Sequence, residues 1–247
     1  GNIRMFDGFL RVAAATPDIR VADCNFNGAS AAALVSEAYE QGVSLLVLPE
    51  LCLTGYTCSD LFLQESLLDG AGKALLTLTE ATRDKNMVVL AGLPLTVNGV
   101  LYNVAAVLHD GDILGFVPKS YLPTYSEFYE GRHYHSGADI ETEVLFNGRT
   151  YPFGTRLLFR CRQMPAFTLG IEICEDLWVA QPPSISHALA GATVIANLSA
   201  SDETTGKDIY RRSLVSGQSA RLVCGYIYAD AGEGESSTDL VFGAHNL

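Results

Sequence analysis

The sequence lacks long apolar runs, an excess of basic charge and paired cysteines. No apolar stretch approaches the roughly 18 residues that a membrane-spanning helix needs, and the first residues carry no apolar secretion signal. With 16 basic against 28 acidic side chains, the net charge of −12 disfavours binding to nucleic acid or to an anionic membrane. These absences predict a soluble, cytoplasmic protein that acts on small molecules.

The cysteines are separate from one another and from histidine. They stand at positions 24, 52, 58, 161, 174 and 224, without a Cys-x-x-Cys pair and without zinc-ligand spacing, so neither a disulfide framework nor a metal site is predicted. Most thiols in a reducing compartment are small buried hydrophobes, and a reactive one must be identified from its neighbours. Only Cys174, in GIEICED, has such neighbours. The other five are predicted to be structural.

Apolar runs alternate with helical patterns along the chain. Strands are predicted at 9–15, 43–48, 87–93, 101–108, 113–117, 167–173, 193–198 and 222–228, with shorter ones near 143–146 and 156–160. Helices are predicted at 28–41, at 60–86 with a break near Gly70 and Gly72, at 183–191 and at 208–221. The order predicts one layered α/β domain over residues 1–247.

Two connections are also informative. Asp110-Gly111 separates two strand patterns and predicts a β-hairpin. Residues 119–140 contain aromatics, glycines and both charges without a clean period, which predicts a long loop. Loops of this length in a compact domain usually carry function.

Three polar residues follow apolar strand runs: Glu50 in VLPE, Lys119 in FVPK and Cys174. In open α/β sheets the ligand crevice lies beyond the carboxyl ends of strands, where these side chains could converge. A carboxylate such as Glu50 can take the proton of a thiol. Lys119 and the backbone N–H of Glu175 could stabilise the oxyanion that forms when the thiolate attacks an amide. A Cys–His pair with one of the five histidines is the alternative, although no local motif supports it.

The motifs around these residues resemble a known family. LLVLPELCLTGY, YNVAAVLHDGDILGFVPKSYLP and GIEICEDLW hold Glu50, Lys119 and Cys174 in the order of the Glu-Lys-Cys triad of the nitrilase, or carbon-nitrogen hydrolase, superfamily. The resemblance implies an α-β-β-α sandwich. It also implies a second glutamate eight residues after the lysine, which is Glu127 in TYSEFYEGR and would orient Lys119.

Further stretches resemble the glutaminase domains of glutamine-dependent NAD synthetases. They are ELCLTGYTCSDLF, ICEDLWVAQPPS, GATVIANLSAS, RRSLVSGQSAR and YADAGEGESSTDLVFGAHNL. This resemblance implies that the chain releases ammonia from glutamine for a synthetase domain that amidates nicotinic acid adenine dinucleotide. The Ser-Gly-Gly-x-Asp-Ser loop of that domain does not occur in the sequence. We therefore expect a chain truncated at its C-terminus, no cofactor in this domain, and ATP and Mg²⁺ only in the missing one.

The same resemblance assigns residues to a glutamine pocket. Glu175 and Ser201 would meet the amino group, and Tyr56, Tyr125 and Phe128 would shape the pocket. A basic residue between 201 and 212 would meet the carboxylate; Lys207 is favoured over Arg211 and Arg212, although lysine lacks the bidentate fork of arginine.

Oligomerisation through paired helix faces is implied by resemblance only. Two other functions stay open from the sequence. One is a free-standing amidase acting on another linear amide, and the other is a catalytically idle fragment that keeps the fold as a scaffold.

Overall fold

The computed structural model describes residues 9–56, 58, 61, 63–122, 134–162, 167–173, 183, 187, 191–199, 225–230 and 238–243. Its two long helices are α1 (Cys24–Glu40) and α2 (Glu65–Ala81). The strands are β1 (Phe9–Ala14), β2 (Leu45–Val47), β3 (Val88–Val97), β4 (Val100–His109), β5 (Asp112–Pro118), β6 (Glu141–Phe146), β7 (Arg149–Gly154), β8 (Phe159–Arg160), β9 (Thr168–Ile173), β10 (Val194–Ser199), β11 (Gly225–Asp230) and β12 (Thr238–Gly243).

The strands form two sheets. The larger has the order β12-β1-β2-β3-β4-β5-β7-β6, and the smaller has the order β11-β10-β9-β8. Strands β1, β2 and β3 run parallel to one another, as do β9, β10 and β11. The β3–β4 and β4–β5 pairs are antiparallel, so both hairpins extend the larger sheet away from its parallel centre.

Alternating side chains place the larger sheet between two apolar layers. Val35 of α1 and Leu75 of α2 pack with Leu46 on one face of the sheet. On the other face, Val47 packs with Ile171 of the smaller sheet. Continuous apolar runs in the central strands are explained by this burial on both sides. The described layers are therefore helix, sheet and sheet.

The two sheets share the direction of their parallel strands. A cavity of about 500 Å³ is lined by Ser44, Val88, Thr168 and Val194, which lie at or directly before the amino ends of β2, β3, β9 and β10. Because these amino ends meet at one pole, the carboxyl ends of the same strands lie at the opposite pole. Glu50 follows the carboxyl end of β2, and position 174 follows that of β9.

Helix α2 corrects one prediction. It continues through Gly70 and Gly72, where the sequence predicted a break. A Cβ on Gly70 would lie 3.4 Å from the Cys24 sulfur, and one on Gly72 would lie 3.4 Å from the Phe146 ring. These glycines allow close packing against the helix rather than ending it. Helix α1 also begins earlier than predicted, at a cap where the Asp23 carboxylate accepts the Phe26 N–H at 3.1 Å.

The predicted hairpin at Asp110-Gly111 is confirmed, with φ values of 44° and 76°. Asn98-Gly99 and Asn147-Gly148 form turns of the same left-handed kind, between β3 and β4 and between β6 and β7. Strands β7 and β12 were not predicted, and the strand predicted at 156–160 is reduced to the two residues of β8. The predicted helix at 208–221 lies outside the described residues. Of the one at 183–191, Pro183 and His187 are described as helical.

Candidate active site

A tight turn after β2 positions Glu50. The Leu48 N–H donates to the Leu90 carbonyl at 2.9 Å, so the chain still follows β3 just before the turn. Leu51 then adopts a left-handed conformation with φ of 51°, which is unusual for a branched residue. Gly92 of β3 makes room, because a Cβ there would lie 2.3 Å from the Leu51 nitrogen and 2.7 Å from the Pro49 oxygen. The turn that carries Glu50 therefore requires a glycine on the next strand.

Lys119 is held on both sides of its backbone. It directly follows β5, and its N–H donates to the Asn103 carbonyl of β4 at 2.8 Å. Its own carbonyl accepts the Gly137 N–H at 2.8 Å. A Cβ on Gly137 would lie 2.4 Å from the Pro118 Cβ, so the segment at Gly137 packs directly on the end of β5. These contacts fix the backbone from which the lysine side chain extends.

The two side chains form a buried ion pair. Lys119 Nζ donates to Glu50 Oε1 at 2.6 Å, and both side chains have 0% exposure. Removing two charges from water costs several kcal/mol each, so a buried ion pair is weak evidence of a stabilising role. A carboxylate and an ammonium held together away from water are instead a common arrangement for proton transfer and for binding developing negative charge.

A third residue, Asn103 of β4, belongs to this cluster. Its Nδ2 donates to the same Glu50 Oε1 at 2.8 Å, and the residue is 1% exposed. Alternation along β4 places Asn103 on the face of Ala105 and Val107, which is turned to the smaller sheet. No role for Asn103 was predicted from the sequence. The available signal was Asn103 itself, a single amide directly before the apolar run VAAVL.

The described structure thus brings together two of the three residues predicted at strand ends. Tyr56, predicted to shape a pocket, is half-buried and packs against the core on the helix side. Seven further predicted residues lie outside the described residues, and their roles remain predictions: Cys174, Glu127, Tyr125, Phe128, Glu175, Ser201 and Lys207.

The described histidines do not join the Glu50 cluster. His109 lies at the cavity pole, 3.2 Å from the Asn86 Oδ1. The His187 ring is 3.0 Å from the Ile171 carbonyl, and burial lowers its pKa. The His135 ring packs near Tyr102. The alternative of a Cys–His pair gains no support from these three.

The described cysteines are free thiols, in line with the structural role predicted for them. Cys24, Cys52 and Cys58 are buried. Burial raises the pKa of Cys24 to about 11 and that of Cys52 to about 12, and it also raises the pKa of Cys58. Such thiols are poor nucleophiles near neutral pH. Among the residues with described positions, no group of three or more histidine, cysteine or acidic side chains is placed to hold a metal ion.

Comparison with known proteins identifies the family of this chain. Residues 11–229 match the family model described as carbon-nitrogen hydrolase, and the chain belongs to that family. The α-β-β-α fold predicted from the motifs is confirmed at the level of the fold by an amidase from Nesterenkonia sp.. That structure has a TM-score of 0.71 and 19% identity, and the match covers 98% of this chain and 85% of that chain.

Relatives with higher sequence identity to this chain are glutamine-dependent NAD(+) synthetases. The chain is 46% identical over 240 residues to the glutamine-dependent NAD(+) synthetase of Mycobacterium tuberculosis, covering 97% of this chain and 35% of that protein. The structure of a glutamine-dependent NAD(+) synthetase from Cytophaga hutchinsonii has 30% identity and a TM-score of 0.80, and the match covers 94% of this chain and 38% of that chain. The chain therefore spans about a third of the length of the curated relatives it matches.

No helix in the described part of the chain is long and apolar enough to cross a membrane.

Proposed function

We propose that this chain hydrolyses the side-chain amide of glutamine through a thioester on Cys174 and supplies the ammonia to an NAD synthetase domain. The observation that carries the proposal is the buried Lys119–Glu50 contact of 2.6 Å at the pole where β9 leads to Cys174. The similarity to glutamine-dependent NAD(+) synthetases supports glutamine as the substrate. ATP and Mg²⁺ would be needed only by the synthetase domain, and this domain would work without a cofactor.

In the first half of the reaction, Glu50 takes the proton of Cys174 and the sulfur attacks the carboxamide carbon of glutamine. Negative charge grows on the carbonyl oxygen, where Lys119 Nζ and the N–H of Glu175 donate hydrogen bonds. Glu127 orients Lys119 for this task. Glu50 then gives its proton to the departing nitrogen, the carbon–nitrogen bond breaks, and ammonia leaves a γ-glutamyl thioester.

In the second half, Glu50 takes a proton from water, and the resulting hydroxide attacks the thioester carbon. The carbon–sulfur bond breaks, the proton held by Glu50 returns to the sulfur, and glutamate leaves. Glu50 thus acts twice as base and twice as acid, which fits a carboxylate that the protein holds in one place.

Selection of glutamine requires partners for its two backbone charges, because an unpaired buried charge is costly. Glu175 and Ser201 would bind the amino group, and Lys207 would bind the carboxylate. Tyr56, Tyr125 and Phe128 would shape the pocket. We also propose a cytoplasmic location and assembly into a homo-oligomer, as in the expectation from the sequence.

Replacement of the nucleophile tests the proposal most directly. We expect Cys174→Ala to abolish glutamate release from glutamine, measured with an enzyme-coupled glutamate assay. Cys161→Ala is the matched control, since this half-buried free thiol lines the cavity at the other pole and should leave the rate unchanged. A Cys174→Ala protein that turned over glutamine near the parent rate would refute the nucleophile assignment.

The similarity in fold to an amidase makes a free-standing amidase the second candidate. Thermal shift of Cys174→Ala separates the two, because millimolar glutamine should raise the melting temperature if glutamine is the substrate, and no shift would favour another linear amide. Labelling of Cys174 by the glutamine-like electrophile diazo-oxo-norleucine excludes an idle scaffold. A folded protein that did not label would support the scaffold instead.

A further inference from the structure

Glu50 Oε1 accepts two hydrogen bonds, one from a residue of β4 and one from the residue that follows β5. Lys119 Nζ, directly after β5, donates at 2.6 Å, and Asn103 Nδ2 on β4 donates at 2.8 Å. All three side chains are shielded from solvent. The ion pair belongs to the expected triad, whereas the amide contact does not.

Asn103 occupies a position where an amide is otherwise unfavourable. The following residues of β4, from Val104 to Leu108, are apolar and fully buried between the helix layer and the smaller sheet. A buried amide is tolerated when its hydrogen-bonding groups meet partners, and here the partner is the carboxylate of Glu50. The backbone carbonyl of the same residue accepts the Lys119 N–H at 2.8 Å. Asn103 therefore contacts both members of the ion pair, one through its side chain and one through its backbone.

The terminal torsion of a glutamate is broad, so a carboxylate bound at one oxygen by a lysine can still rotate. Lysine acts as a point charge on a flexible stem and imposes little orientation. A second donor that reaches the same oxygen from another strand fixes the plane of the carboxylate. Two donors on Oε1 therefore hold the carboxylate in one orientation.

We propose that Asn103 is a positioning residue that anchors Glu50 Oε1 and thereby holds the carboxylate in the orientation that proton transfer requires. Asn103 exchanges no proton itself, because an amide neither gains nor loses one at working pH. This inference rests on the proposed function only for the identity of the nucleophile, and not for the identity of the substrate.

The main test removes the donor while keeping the size of the side chain. In Asn103→Leu we expect kcat for glutamine to fall about 10- to 100-fold while KM changes less than about threefold, because Asn103 orients the base and does not touch glutamine. Asn103→Ala, which cannot overpack the site, should show the same split between kcat and KM. Thr82→Val is the control: it removes a buried hydroxyl that accepts the Gly111 N–H at 2.9 Å near the cavity pole, and it should alter the melting temperature without lowering kcat.

A double-mutant cycle separates positioning from a general structural effect. The readout is the rate at which iodoacetamide alkylates Cys174 at pH 7, followed by mass spectrometry of its peptide; this rate needs the base but not glutamine. We expect Asn103→Leu to slow alkylation severalfold in the parent and to have no further effect in Glu50→Gln, because the residue acts through Glu50.

The outcomes distinguish the two proposals. Equal slowing in both backgrounds, or an unchanged kcat in folded Asn103→Leu and Asn103→Ala, would overturn the role of Asn103. If the parent protein released no glutamate from glutamine but the alkylation cycle showed full coupling, the substrate would be wrong and the role of Asn103 would stand.

Discussion

The ion pairs described at the two poles of the sandwich differ in their exposure to solvent. At the pole that holds Glu50, Lys119 Nζ and Glu50 Oε1 are 2.6 Å apart with both side chains fully buried. Toward the cavity pole, Arg83 and Glu80 are 2.7 Å apart, with side-chain exposures of 52% and 65%. The two distances are almost the same, so distance does not distinguish the two pairs. Burial does, because only the buried charges lose the strong stabilisation that water would give them.

Glycine has two different roles in the backbone of this molecule. Gly92 and Gly137 lie against the turns that carry Glu50 and Lys119, where an added Cβ would overlap neighbouring atoms. Gly99 and Gly148, in the hairpin turns, have nothing within 4 Å of an added Cβ and are required only for their positive φ. Glycine thus serves close approach at the turns that carry Glu50 and Lys119 and turn geometry at these two hairpins.

The largest effect is expected when one buried charge loses its partner. Lys119→Met should lower the free energy of unfolding by about 3–5 kcal/mol, since Glu50 is left buried without the ammonium, and should abolish glutamine hydrolysis. Urea unfolding and the glutamate assay measure the two effects. The double variant Glu50→Gln/Lys119→Met is the control and should regain much of the stability but none of the activity. A single variant as stable as the parent would contradict the account of the buried pair.

The next effect concerns the turn that holds Glu50. Gly92→Ala should destabilise the protein by about 1–3 kcal/mol through overpacking and lower kcat at least about tenfold, because the new methyl group displaces the turn. Gly148→Ala is the matched control, in which the positive φ costs about 1 kcal/mol while kcat stays at the parent value. Equal kcat in both variants would show that the close approach at Gly92 does not matter for the site.

A smaller effect follows from the buried thiols. Burial raises the pKa of Cys52 to about 12 and that of Cys24 to about 11, against a usual value of 9.0. The unfolded chain therefore loses these protons first, and the stability that depends on them is fully present below pH 9 and declines as the pH rises from 9 toward 11–12.

Urea unfolding between pH 8 and pH 10.5 checks this expectation. Stability should fall less steeply with pH in Cys24→Ala/Cys52→Ala than in the parent, because two groups that bind protons in the folded state are removed. Identical slopes in the two proteins would rule out a contribution from these thiols. At pH 7 we expect iodoacetamide to leave both cysteines unmodified in the folded protein.

The smallest effect is expected at the exposed pair. Arg83→Ala should change the melting temperature by about 2 °C or less, and the difference should shrink further in 1 M NaCl, which screens surface charges. The variant should hydrolyse glutamine at the parent rate. A melting temperature lowered as far as in Lys119→Met would remove the distinction between the two poles.

Several parts of this structure were predictable because their signals are local. An apolar run predicts the strand before Glu50, and a similar pattern predicts the strand before Lys119. The dipeptide Asp110-Gly111 predicts a turn from two residues alone. The convergence of Glu50 and Lys119 was predicted from the strand ends that precede them, and the described structure brings them within hydrogen-bond distance.

The remaining features depend on partners far away in sequence. Gly70 and Gly72 have the pattern of a helix end, and only contact with Cys24 and Phe146 identifies them as packing positions. Asn103 looks like a residue of a solvated face until β4 is paired with both β3 and β5. Strand β12 has a short apolar stretch, Leu240 to Phe242, and only its pairing with β1 identifies it as part of the larger sheet.

The pairing of β1 with β12 also bears on how the domain is made in the cell. Phe9 lies opposite Gly243, so an edge of the parallel sheet stays uncovered until almost all of this sequence has been synthesised. An open strand edge beside an apolar sheet is a template for aggregation. We therefore expect the outer edge of β1 to be prone to intermolecular pairing until β12 has been synthesised and has paired with it.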